Sequence, residues 1–315
     1  MSTSILPGDS YMMGLTLLVT IAFQLTCFFF AYQLQVDTLT DLAGSLNFIL
    51  LALLTYFGGN AYSRGDARAI ALTTLVVVSR AELGLYLLTR VLRRGKDARF
   101  DRVRNSFVGF LIFWIFQMVW VWGVSLPLIF VNSSSSSTTS NGQVLTSSDW
   151  IGVAIFIAGF ILQVIADVQK DIFRSNPAFA SKWCDVGVWK WSRHPNFAGE
   201  IIIWWGAFIL AAGVFSTEPS GWSTIMSPLL TMLILLCGSG IPTAEGDNQL
   251  RWMKTQEQTA RFKSYRLQTS PLIPMPPFIY KSIPMSIKRW FLFEWERYEA
   301  SESTSQPLIT PPAAK

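Results

Sequence analysis

The stretch Trp191–Gly206, WSRHPNFAGEIIIWWG, carries a polar cluster directly into a run apolar enough to enter a membrane. It holds the only histidine of the chain, His194, with Arg193, Asn196 and Glu200 inside one short interval. Pro195 suits the first turn of a helix, so the apolar run is expected to start there with its free amides facing the polar residues. Asn196 and Glu200 lie four apart and share one face of that helix. A carboxylate at a membrane boundary must be paired or face a polar cavity, which makes Glu200 a site candidate.

Working outward, the chain is 51% hydrophobic and only 14% charged, with 13 Trp and 23 Phe. This composition marks an all-α integral membrane protein rather than a soluble domain. A hydrocarbon core needs roughly twenty apolar helical residues, and seven runs meet that need: 11–34, 42–57, 69–92, 107–131, 150–168, 197–214 and 222–241. Residues 1–10 lack the positive n-region of a cleaved signal peptide, so the first run is expected to be a retained helix. Cys27, Cys184 and Cys237 are far apart with no metal-ligand spacing, and read as small buried hydrophobes. The net charge of +5 sits in loops beside apolar runs, which suits anionic head groups and not nucleic acid. No required protein partner is evident.

Loop charge sets the expected orientation. Arg90, Arg93, Arg94, Lys96, Arg99, Arg102 and Arg104 crowd one connection, which is then cytosolic by the positive-inside rule. Alternation makes 171–195 and everything after Pro242 cytosolic, and puts the Ser/Thr-rich loop 132–148 on the opposite face. Arg64 and Arg68 fall on that opposite face against the rule. Asn132-Ser133-Ser134 forms a glycosylation sequon there. Expected divisions are 1–68 for the N-terminal helices, 69–277 for the main membrane domain with its Ser-rich loop 132–149, and 278–315 for a cytosolic tail. In that tail 288–298 reads as an interfacial amphipathic helix and 301–315 as disordered.

Gln163, Asp167, Lys170 and Arg174 recur at helical spacing and share one face. They make either a solvated helix end or a face for an anionic, hydroxyl-rich ligand, with Lys170 and Arg174 meeting phosphates and Asp167 accepting from hydroxyls. Gly238-Ser239-Gly240 does not open a soluble dinucleotide fold, because no strand precedes it and the third glycine is absent.

The runs DVQKDIFR (167–174), GVWKWSRHPNFAGEIIIWWG (187–206), GIPTAE (240–245) and YRLQTSPLIP (265–274) resemble the DUF1295 family. That family is similar to the C-terminal domain of steroid 5-alpha-reductases and, more distantly, to sterol C14 reductases. The resemblance implies a seven-helix, steroid-reductase-like membrane fold in which NADPH reduces an activated carbon–carbon double bond of a lipid, in the endoplasmic reticulum. It also implies that Gln163, Asp167, Arg174 and Lys182 contact the cofactor, and that Asn196 and Glu200 sit by its nicotinamide and ribose. Lys170, Arg193 and His194 join the expected cofactor set. Asp171 stands where steroid reductases carry a basic residue, and Trp252 near a position usually held by tyrosine.

For the lipophilic substrate, Arg80 and Glu82 interrupt the third apolar run and must pair or face the interior. Glu82 and Tyr86 share a face and could give a hydrogen bond or proton to a polarised carbonyl, with Glu200 as the third catalytic candidate. The bland alternative is an interhelical network with Arg80. Two other functions compete. RHPNFAG also resembles the RHPxYxG element of isoprenylcysteine-type methyltransferases, which use S-adenosylmethionine, although their double glutamate is here the single Glu245. A non-catalytic lipid-binding protein is the third reading.

Overall fold

The computed structural model describes residues 7–36, 38–94, 105–135, 144–179 and 182–299. Lys96, Arg99, Arg102 and Arg104, the centre of the Ser/Thr-rich loop and the 301–315 tail lie outside them. Within them the chain is helical, with one isolated bridge between Ser192 and Ser270. The longer helices are α1 (Met13–Leu34), α2 (Thr38–Gly58), the short α3 (Asn60–Arg64), α4 (Ala67–Arg94), α5 (Phe107–Val124), α6 (Leu126–Ser133), α7 (Ser147–Ser175), α8 (Pro195–Ala211) and α9 (Met226–Cys237). Short helices follow: α10 (Ile241–Ala244), α11 (Gly246–Trp252), α12 (Gln256–Gln268), α13 (Pro277–Ser282) and α14 (Met285–Phe291). Seven helical stretches are long and apolar enough to cross a membrane: Met13–Leu34, Thr40–Gly58, Ala67–Arg93, Phe107–Val124, Ser147–Ser175, Pro195–Val214 and Pro219–Ala244.

One expected span is broken. The run 107–131 stops at Val124 and restarts as α6, with Pro127 in the new first turn. Proline lacks the amide that would continue α5, and is accepted only where that amide has no helical partner. The Ser125 hydroxyl turns back onto the Val121 carbonyl at 2.7 Å.

The chain forms two compact units, one of 1–164 with 199–232 and the other of 165–198 with 233–315. This cuts across the expected divisions at 68/69 and 277/278. In the first unit, Phe48, Phe130, Phe156, Trp204 and Phe215 centre a large buried cluster. There α7 and α8 approach closely through glycines. A Cβ on Gly199 would lie 2.7 Å from the Gly159 carbonyl oxygen, and one on Gly206 2.5 Å from the Phe156 nitrogen. Small residues are what allow two apolar helices to gain backbone-level packing where no hydrophobic drive exists between them.

Charged residues of this unit meet opposite charges. Arg68 places Nε and Nη2 on the two Asp149 oxygens at 2.8 and 2.9 Å, and Arg64 reaches Asp66 at 3.8 Å. Both arginines that opposed the charge rule thus have local carboxylates. Asn132 corrects another expectation: it is fully buried, donates to Thr55 Oγ1 at 3.0 Å and Thr73 Oγ1 at 3.1 Å, and cannot accept a glycan in the folded chain. Asn132 and Ser133 close helix α6, and Ser134 caps it, so the loop expected from 132 starts later.

The second unit gathers the C-terminal end of α7, the motif preceding α8, the end of α9 and helices α10 to α14. Tyr280 and Tyr298 are fully buried in it, so 278–299 is an integral part of the unit rather than a tail. The amphipathic helix expected over 288–298 ends at Phe291. Phe293 takes a left-handed φ of 59°, and the amides of Leu292 and Glu294 both return to the Lys288 carbonyl, which turns Glu294 inward.

Candidate functional site

The segment 191–196 is held between backbone neighbours before any side chain acts. Arg193 N donates to Ser270 O at 2.7 Å and Met275 N to Trp191 O at 3.1 Å, while Ser192 Oγ donates to Leu272 O at 2.8 Å. With Pro195 opening α8, the Arg193 and His194 side chains are fixed in a buried cluster.

Arg193 is surrounded by carboxylates. Its Nε donates to Glu245 Oε1 at 2.9 Å, and Nη1 and Nη2 grip the two Glu294 oxygens at 3.0 and 2.8 Å. Glu294 also accepts from Arg266 Nη2 at 3.1 Å and from the Tyr280 hydroxyl at 2.5 Å. Burial alone would lower the Arg193 pKa, but the charges of Glu245 and Glu294 raise it above its ordinary value. Burial pushes the Glu245 pKa up, yet the Arg193 charge and the His194 hydrogen bond outweigh it and bring it down to about 2. Glu245 therefore stays ionised.

His194 Nε2 lies 2.9 Å from Glu245 Oε1. Burial lowers the imidazole pKa, against the hydrogen bond and charge of Glu245 and with the charges of Lys170 and Arg193. A neutral ring beside a carboxylate carries its proton on Nε2, an assignment made from the partner. Nδ1 is then a bare acceptor, buried and without a donor among the described residues. The ring stacks on Phe197 with centroids 5.2 Å apart.

A cavity of about 40 Å³ opens beside this cluster, lined by Lys170, Arg174, Arg193, His194 and Glu245 among aromatic rings that include Trp189, Trp252 and Tyr265. Such a volume holds a few waters, so a dinucleotide would have to displace mobile side chains. The Lys170 Nζ rests 4.6 Å above the Trp189 ring. The backbone around it is fixed: Trp189 Nε1 donates to Ala166 O at 2.9 Å, and Tyr265 donates to Trp189 O at 2.7 Å. Asn196 Nδ2 donates to Asp167 Oδ1 at 3.3 Å, leaving Asn196 Oδ1 buried without a donor among the described residues.

Of the expected cofactor residues, Lys170, Arg174, Arg193 and His194 therefore share one cavity, and Asp167 and Asn196 bond to each other, all in the second unit. Lys182 is exposed with its Nζ over Phe179 at 5.0 Å. Gln163 and Glu200 belong to the first unit. There Arg80 Nη1 and Nη2 grip the two Glu200 oxygens at 2.8 and 3.0 Å, and Trp204 Nε1 adds a third bond at 2.8 Å. The Glu200 carboxylate thus holds the Arg80 guanidinium and the Trp204 indole together. Glu82 and Tyr86 are half-buried on α4. Glu245, Glu294, Arg266 and Tyr280 lie far along the sequence from Arg193, and of these Glu245 and Arg266 stood in the motifs GIPTAE and YRLQTSPLIP, while Glu294 and Tyr280 stood in none.

A family model described as "Protein of unknown function (DUF1295)" matches residues 27–269. A protein of Schizosaccharomyces pombe, described as "Uncharacterized protein C594.04c", is 24% identical over 208 residues, 56% of this chain. The match spans 57% of that relative's length. No solved structure matches.

Proposed function

The chain belongs to the DUF1295 family, and from that premise we propose that it is a membrane-embedded, NADPH-dependent reductase of an activated carbon–carbon double bond in a lipophilic substrate. The observation that carries this reading is the second unit's cavity, where cationic and aromatic side chains meet around the RHPN element. Two buried acceptors, His194 Nδ1 and Asn196 Oδ1, lack donors among the described residues, which suits a ligand bearing N–H groups and negative charge. NADPH has both, in its amide, adenine and phosphates.

When bound, NADPH supplies a hydride. Lys170 and Arg174 hold phosphate oxygens through charge-assisted bonds. Asp167 fixes the Asn196 amide so that its oxygen faces a ligand donor. Glu245 fixes the His194 tautomer, and the surrounding rings limit water. Glu82 and Tyr86 are the groups for a polarised carbonyl on the substrate, and Glu200 serves by holding Arg80. Lys182, which is exposed, is assigned a peripheral phosphate contact. The endoplasmic reticulum, and a cytosolic C-terminal part, complete the reading.

Methyl transfer from S-adenosylmethionine is the second reading. It is favoured by one observation: Arg193 meets two glutamates, Glu245 and Glu294, so a pair of carboxylates exists in space where the sequence keeps one. A panel of lipid enones with 4-deuterated NADPH separates the two. One deuterium gained by a reduced product, lost in Asn196→Ala, supports the reductase, and methyl label from S-adenosylmethionine without deuterium transfer replaces it. Tyr86→Phe and Glu82→Gln in the same assay test their roles.

A further inference from the structure

Large exposed apolar side chains outside the seven candidate spans concentrate in the α13–α14 hairpin of the second unit. Phe278 is 72% exposed, Trp290 82% and Phe291 71%, with Ile279, Met285 and Ile287 also exposed. The hairpin is nevertheless firmly seated. Tyr280 and Lys288 are its buried anchors, the Lys288 ammonium lying 4.2 Å over the Tyr280 ring. Its exposed rings are thus held outward by a fixed scaffold. A soluble protein would seldom spend so many large apolar residues on one short surface element.

The place of this element says what covers it. The segment after α14 ends on the C-terminal end of α9, with Tyr298 Oη donating to Leu236 O and Arg297 Nη2 to Cys237 O, each at 2.8 Å. Those carbonyls belong to the candidate span Pro219–Ala244. Five residues, 292–296, separate Phe291 from Arg297, a reach of about 20 Å. The hairpin is therefore tied to the end of a membrane helix. Its chemistry is that of the zone there: Trp and Phe, with the exposed Lys281 and Arg289 beside them, Arg289 sharing its charge with Glu296 at 2.6 Å. Aromatic rings beside basic residues settle at the head-group level.

We infer that the α13–α14 hairpin is a membrane-surface anchor, its Phe278, Trp290 and Phe291 side chains inserted into the interfacial layer of the bilayer that the chain spans. It fixes the second unit against the head groups, and Lys281 favours anionic ones. This stands independently of the catalytic reading.

The test uses the full-length protein in nanodiscs of phosphatidylcholine with phosphatidylserine, one lipid carrying a photoactivatable diazirine near the acyl-chain head. Adducts on 277–291, with hydroxyl-radical oxidation of Trp290 at least tenfold slower than in the unfolded chain, are expected. Replacing Trp290 and Phe291 together by Asp should abolish adducts on this segment while the spanning helices remain labelled. The inference is overturned if wild-type 277–291 carries no lipid adduct while the spanning helices do, whether Trp290 is then freely oxidised or shielded by another protein.

Discussion

Removing the Glu200 carboxylate by Glu200→Ala should be among the most damaging single changes in the first unit. Arg80 is 1% exposed, so its charge would be left buried, with the faces of Phe48 and Trp204 at 5.7 and 5.4 Å, the Ser79 hydroxyl at 3.5 Å and the more distant charge of Glu82 as partial compensation. Breaking a buried pair costs about 3–5 kcal/mol, and the two cation–π contacts return roughly 0.5–2 kcal/mol at best. Replacing both partners by apolar residues, Arg80→Met with Glu200→Leu, removes the stranded charge and leaves the Trp204 indole without its acceptor, a cost of about 1–3 kcal/mol. The double variant should then be more stable than Glu200→Ala alone. The assay is a double-mutant cycle from denaturant unfolding in mixed micelles, followed by Trp fluorescence. A single variant no worse than the double would refute the buried pair and return Glu200 to the list of ligand contacts.

Three further outcomes are expected. Gly199→Ala puts a methyl group against the Gly159 carbonyl and the Gln163 backbone, so thermal stability should fall by about 1–3 kcal/mol; an unchanged melting temperature would contradict the α7–α8 approach. Asn132 should carry no glycan when the chain is made in glycosylating cells, and Asn132→Ala, which takes the acceptor from the buried Thr73 hydroxyl, should cost about 1–3 kcal/mol; a band shifted by deglycosylation would show the residue is accessible. The lowered His194 pKa has a definite sign. Between the ordinary histidine value near ~6.5 and the depressed folded one, the unfolded chain binds the extra proton. Its stabilisation is thus complete above that ordinary value and is lost as pH falls below it, so His194→Gln should flatten the unfolding profile between pH 7 and pH 5. An equally steep profile in the variant would mean the ring is not buried neutral.

The spanning helices were legible because apolar run length is a local property that the bilayer makes decisive. The break at Ser125 was written in Pro127 but masked by the hydrophobicity on both sides. The bond between Asp167 and Asn196 joins two residues each identified from helical spacing, and their meeting follows from two faces turned the same way. Arg193 tells the opposite story. Its carboxylate partners come from 52 and 101 residues downstream, at the junction of α10 with α11 and in the segment after α14, so no helical spacing links them to it. Glu294 in particular depends on Phe293 accepting a left-handed backbone, a conformation that sequence favours only for Gly or Asn. Whether the Asn132 sequon is usable was left open by the sequence for a related reason: a sequon is a local signal, and burial is not.

The most direct test of the proposed cofactor site is equilibrium binding of NADPH, NADH and S-adenosylmethionine to detergent-purified wild-type protein and to the Lys170→Ala and Arg174→Ala variants. Saturable NADPH binding is expected, weakened roughly 10- to 100-fold by loss of a charged hydrogen bond worth about 1.5–3 kcal/mol. NADPH binding unaffected by either variant, or binding of S-adenosylmethionine alone, would contradict it.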